Sequence, residues 1–110
     1  AGAFPTWLAP VQVKVLPITD RAAEYADQVA ARLDALGYRV ETDHRSEKIG
    51  FKIRQAQLEK VPYMLVVGGK EAETGDVAVR NRHGEQTVMS FDAFAAKLRD
   101  EVDSKALEQN

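Results

Sequence analysis

Val11, Val13 and Val15 alternate with Gln12 and Lys14, a two-residue period that predicts a strand with one buried face. Pro17 ends it, because proline cannot donate to a ladder. Ala26, Val29, Ala30, Leu33 and Leu36 then recur at helical spacing, with Thr19 and Asp20 available as an N-cap. Gly37 supplies a left-handed residue past the helix end, and Tyr38 closes the hydrophobic contact of a Schellman terminus. Tyr38 to Thr42 alternates as a second strand, which completes a βαβ unit. A second helix is predicted over about 48–59. Ile49, Ile53 and Ala56 line one side of it and Phe51 and Leu58 the opposite side. Lys48, Lys52, Gln55 and Glu59 form a polar stripe between them. Two apolar sides predict a helix wedged against more than one neighbour, with the stripe outward. Gly50 within it marks a late helix start or a close approach by another backbone.

Val61 to Val67 is a nearly continuous apolar run ending in Gly68-Gly69, the pattern of a central strand covered on both faces. Asp76 to Arg82 alternates again, and His83-Gly84 turns it into Gln86–Met89, so these two strands form a hairpin. Ser90 caps a last helix whose Phe91, Phe94, Ala95, Leu98 and Val102 share one face. The expected fold class is α/β: a five-stranded mixed β-sheet flanked by three helices, parallel at first, with an antiparallel edge hairpin. Residues 1–10 read as an extended linker, 11–103 as the folded domain and 104–110 as a fraying tail.

At 110 residues the chain has room for one core. It has no cysteine, which excludes disulfides, a thiolate metal site and a thiol nucleophile. No apolar run approaches the length of a membrane span, and residues 1–10 lack the charged and apolar regions of a signal peptide. No membrane partner is expected. The net charge of -2 does not advertise nucleic acid, but its distribution is uneven. Between His44 and Lys60 stand Arg45, Lys48, Lys52, Arg54 and Lys60 against only Glu47 and Glu59. An acidic protein with one local basic segment offers a polyanion one defined face; the plainer reading of that segment is a solvated helix.

His44 beside Asp43 suggests a metal or a general base, but no third ligand lies at a helical or hairpin spacing, and no metal is predicted. His83 reads as a turn residue and Ser90 as a cap rather than a nucleophile. Gly68-Gly69-Lys70 lacks the spacing of a phosphate loop and no helix pattern follows, so a tight turn is expected there. Phe4 and Trp7 could stack on a base, although anchoring of the leading chain explains them better. The best site material is Lys48, Lys52, Arg54 and Lys60 on the second helix with Arg80 and Arg82 on the hairpin. Guanidinium forks suit base edges and phosphates, and ammonium groups suit phosphates. Glu71 follows the central strand by a short turn. A carboxylate among arginines repels phosphate, so in a nucleic-acid site it should face a donor such as the N1 and N2 hydrogens of guanine. An ordinary salt bridge accounts for Glu71 equally well.

Together these segments carry a resemblance. Phe4-Pro5-Thr6-Trp7-Leu8-Ala9-Pro10 leading into Val11-Gln12-Val13 looks like the junction into the C-terminal anticodon-binding domain of bacterial threonyl-tRNA synthetases. The run from Asp43 to Arg54 resembles that family's D-x-R-N-E-K-x-G-x-K-I-R motif. Val61 to Gly68 with Lys70-Glu71 resembles V-P-Y-x-x-V-V-G-D-K-E, and Val77-Ala78-Val79-Arg80 its closing V-x-V-R strand. The similarity runs in register from about residue 4 to 102. Prolyl-, histidyl- and glycyl-tRNA synthetases carry related domains, but the leading F-P-T-W-L-A-P is closer to the threonyl type.

The resemblance implies the class IIa anticodon-binding fold and a tRNA partner. Threonine codons begin AC, so threonine tRNAs share G and U as second and third anticodon bases. In the family these bases are splayed out and read at the positions of Arg54, Glu71 and Arg80, helped by the motif asparagine, with Lys48 and Lys52 on the same helix. Single-stranded loops are where RNA sequence can be read. Ser46 stands where the motif has Asn and Gly69 where Asp is common. The shorter serine puts a bidentate contact in doubt, and a water could bridge there.

The chain lacks the catalytic motifs and zinc ligands of the family's upstream domain. It reads as a non-catalytic piece of a longer polypeptide. No cofactor is expected in it, and ATP and zinc belong to the parent ligase. The further implied partners are that ligase's catalytic domain and tRNA for threonine. The implied parent is a cytoplasmic homodimer, the piece itself a monomer. The rival reading is a protein-interaction module of the same fold that does not read RNA. A flavodoxin-like small-molecule binder is disfavoured by the missing phosphate loop.

Overall fold

The structure is a computed structural model and describes residues 4–104. Five strands form one sheet in the order β2-β1-β3-β4-β5. They are β1 (Val13–Pro17), β2 (Val40–Thr42), β3 (Tyr63–Val67), β4 (Asp76–Asn81) and β5 (Gln86–Ser90). β1 runs parallel to β2 and β3, while β3–β4 and β4–β5 are antiparallel. The mixed sheet with its antiparallel edge hairpin matches the expectation.

Strand alternation divides the core in two. Val13, Val15, Tyr63, Leu65, Val67, Val77 and Val79 face one way. Helices α1 (Ala23–Ala35) and α4 (Phe91–Asp103) cover them with Ala26, Val29, Leu33, Phe91, Phe94 and Leu98. On the opposite face, Leu16, Met64, Val66 and Ala78 pack under α2 (Ile49–Leu58) through Ile49, Ile53 and Ala56.

The termini follow the sequence signals closely. After α1, Gly37 has φ 96°, its N–H donates to Asp34 O at 2.9 Å, and Tyr38 N–H donates to Leu33 O at 3.1 Å. That bond pair is a Schellman end. Ser90 Oγ accepts from Ala93 N–H at 3.1 Å and caps α4. The start of α1 differs: it grows out of a 3-10 turn, Asp20–Ala22, and no side chain caps it.

Three expectations need correction. First, β1 is buried on both faces, because the Lys14 ammonium is covered by α2 and paired with Glu59 at 2.7 Å. Second, a fourth helix, α3 (Gly69–Thr74), stands where a simple turn was expected. It buries no residue, so it has no apolar period to betray it; Gly75, at φ 79°, terminates it. Third, α2 is not wedged between neighbours. Phe51 and Leu58 are exposed, and the polar stripe is broken by Lys52, only 4% exposed.

Candidate nucleic-acid interface

The loop from Asp43 to Lys48 launches α2 and is held by charge. Asp43 is buried and its carboxylate takes a two-pronged grip from Arg45, Nε to Oδ1 at 3.0 Å and Nη2 to Oδ2 at 2.6 Å. Arg45 backbone N–H adds a further bond to Oδ1. Hydrogen bonding from the Arg45 side chain holds the Asp43 carboxyl at about 2, against 3.8 ordinarily, and outweighs the opposing effect of burial. Lys52 reaches the same loop from below, with Nζ donating to Pro17 O at 3.0 Å and Asp43 O at 3.2 Å. Asp43, Arg45 and Lys52 are thus framework. Lys52, expected to point outward, instead ties α2 to the ends of β1 and β2. Ser46, Glu47 and Lys48, which the framework displays, are all exposed.

At 100° per residue, the flanks of α2 can be assigned. Glu59 marks the flank over β1 through its pair with Lys14. Gly50, Arg54 and Gln57 fall on the other flank, toward β4 and β5. There they line an open hollow of about 480 Å³ with Ile53 and Leu58. Nothing lies within 4 Å of a Cβ placed on Gly50. Gly50 therefore leaves space in the first turn of the helix rather than admitting another backbone.

Register places Arg80 on that same sheet face. Met64, Arg80 and Gln86 form one cross-strand row; Val66, Ala78 and Val88 form the next. No helix covers the outer end of these rows: Val88 is 58% exposed and Gln86 is also exposed. Arg80 Nη1 donates to Gln86 Oε1 at 3.4 Å, while its Nε is buried without a hydrogen-bond partner among the described residues.

Glu71 lies in α3. Its Oε1 accepts from Gly68 N–H at 2.7 Å, closing the N-terminus of that short helix. The second oxygen has no hydrogen-bond partner among the described residues, and Glu71 makes no ion pair there. A Cβ on Gly68 would sit tightly at this junction, 3.1 Å from Ile18 Cδ1 and 3.3 Å from Glu71 Oε1, so those two side chains would have to shift by a few tenths of an ångström. From the Met64–Arg80 row to Val67 is three residues, about 10 Å at strand rise. Arg80 and the Arg54-bearing helix α2 hence lie on the same side of the sheet, with Ser46 and Lys48 just before the first turn of α2; Glu71, in α3, lies past the C-terminal end of β3, where Tyr25 of α1 feels its charge.

The remaining candidates are not brought together with this uncovered end of the sheet. Arg82 lies past the end of β4, and its Nη2 donates to Phe4 O at 2.8 Å. Burial lowers its pKa. Lys60 is exposed at the far end of α2 in a left-handed conformation, φ 60°. His44 Nε2 pairs with Asp27 at 3.0 Å, not with Asp43. His83 is an exposed turn residue, and no cluster among the described residues could hold a metal. Sequence reasoning missed Gln86, the cross-strand partner of Arg80, and Val88; both sit at polar-face positions of the predicted hairpin, which was the available signal.

The anticodon binding domain family model matches residues 12–101. Threonine–tRNA ligase of Desulforamulus reducens is 56% identical over 108 residues, covering 97% of this chain and 17% of that one. The Clostridium tetani ligase is 54% identical over 111 residues, covering 100% and 17%. The chain spans about a sixth of the length of the curated relatives it matches. The crystal structure of the RNA binding domain of threonyl-tRNA synthetase from Cryptosporidium parvum Iowa II superimposes with a TM-score of 0.88 at 35% identity. That match covers 91% of this chain and 26% of the other. The chain belongs to the anticodon-binding domain family and, within it, matches the threonyl-tRNA synthetase type.

Proposed function

We propose that the chain binds the anticodon loop of threonine tRNA as one domain of a threonine–tRNA ligase, and that it reads the G and U shared by those anticodons. The observation that carries this reading is the strip of sheet that α2 leaves uncovered on the face opposite α1 and α4, where Arg80 stands and toward which the Arg54 flank of α2 turns. Bases splayed from a loop expose edges that such groups address. The free oxygen of Glu71 accepts from guanine's ring and amino hydrogens. Arg80 donates from its guanidinium to a base oxygen or phosphate, and Arg54 and Lys48 neutralise the backbone. Ser46 is too short for the paired contact of an amide, so it acts through its hydroxyl. Ligation of threonine, with the ATP and zinc it uses, belongs to the rest of the parent enzyme.

Titration of the chain with anticodon stem-loops that differ only at the second base tests the reading. The G-containing loop should bind most tightly. Arg80→Ala and Glu71→Ala should each cost about 1–3 kcal/mol for it and flatten the base preference. Equal affinity for all four bases in the unmodified chain overturns the reading and favours a protein-interaction role for this face.

A further inference from the structure

The segment before β1, expected to be an extended linker, is fastened to the domain along its length. Residues Thr6–Leu8 form a 3-10 turn in which Leu8 and Ala9 N–H donate to Pro5 O at 3.0 and 3.1 Å. Its carbonyls are then gripped from the domain. Arg39 donates to Ala9 O at 2.9 Å and Trp7 O at 3.0 Å, Gln12 Nε2 to Thr6 O at 3.1 Å, and Arg82 to Phe4 O.

A carboxylate on the last helix adds a side-chain link to this segment. Glu101, on α4, accepts Thr6 Oγ1–H at Oε2 and Tyr63 O–H at Oε1, the latter at 2.5 Å. Thr6 and Tyr63 are fully buried and Glu101 is half-buried. A single carboxylate therefore ties the leading segment, the central strand and the last helix. Arg82 stands close enough to feel its charge.

We propose that Glu101 is a positioning residue that locks residues 4–9 onto the lower edge of the sheet, so that the chain reaches the domain in one fixed direction. The lock also fixes Phe4 O against Arg82, two residues beyond Arg80 on the hairpin. Arg82 thus serves the joint, while Arg80 faces the strip. In its purpose the lock rests on the anticodon reading, since it holds the strip at a set attitude to whatever the segment connects; as a physical joint it does not.

Amide hydrogen exchange in the 110-residue chain tests it without RNA, so its outcome is independent of base reading. Glu101→Ala should speed exchange of the Leu8 and Ala9 amides by about tenfold, the loss expected for one hydrogen bond, with Val15 and Leu65 unchanged. Glu101→Gln should restore protection, because an amide can accept from Tyr63 and donate to Thr6 Oγ1. Thr6→Val removes only the segment's half of the lock and should loosen the same two amides. Unchanged Leu8 and Ala9 exchange in Glu101→Ala or Thr6→Val overturns the proposal. So does a uniform acceleration at every amide in both, which marks Glu101 as an ordinary stabilising residue.

Discussion

Replacing Asp43 by Asn tests how the interface loop is held. The Asp43 carboxylate is buried, doubly bonded to Arg45 and titrates at about 2 instead of 3.8. A gap of nearly two pH units between folded and unfolded chain corresponds to roughly 2 kcal/mol of stability at neutral pH. Because the folded value is the depressed one, that stability is present above about pH 4 and lost as pH falls through about 2. Asparagine keeps the shape but cannot carry the charge, and it sets an amide N–H against an Arg45 donor. Asp43→Asn should therefore lose about 2 kcal/mol or more near pH 7, with less difference from the unmodified chain as pH drops from about 4 toward 2. Urea unfolding of both proteins across that range, with the slopes checked for equality, measures the difference directly. A stability difference that is absent near pH 7, or that stays constant down to about pH 2, refutes the assignment of the Arg45 grip as the loop's fastening.

Substitutions at Glu71 and Lys52 separate framework from reading groups. Glu71→Gln keeps an oxygen for Gly68 N–H, so stability should hold while preference for guanine falls; Glu71→Ala should lose both preference and about 1 kcal/mol of stability, read by stem-loop titration and urea midpoint. Lys52→Met strips Pro17 O and Asp43 O of their buried donor and should cost about 1–3 kcal/mol in unfolding experiments. The ratio of affinities for guanine and non-guanine loops should survive that change, because Lys52 Nζ does not reach the strip.

Most of the scaffold was legible because its signals are local. The Val61–Val67 run, the Gly37 terminus and the Ser90 cap each specify their conformation through neighbours in sequence. What was missed depends on groups far apart in the chain. Lys52 falls on a polar stripe by helical period, yet Pro17 and Asp43 bring two carbonyls over that flank. Lys14 alternates as an outward residue until Glu59 covers it. Helix α3 has no buried side, and its only sequence signal was Glu71 three residues after Gly68, with Gly75 beyond. Arg82 has the same parity as Arg80, but the strand ends at Asn81 and the returning leading segment captures it. Of the proposed site, Arg54, Arg80 and Glu71 were identifiable from residue type and resemblance; the placement of Arg80 on the sheet face that α2 packs against required the register.

Backbone amide shifts of the isotope-labelled chain, followed while a threonine anticodon stem-loop is added, locate the contact most directly. Perturbation is expected to concentrate at residues 46–54, 68–72, 78–80 and 86–88, with α1 and the outer side of α4 silent. Perturbation centred on α1 and α4, or spread evenly over the surface, contradicts that placement.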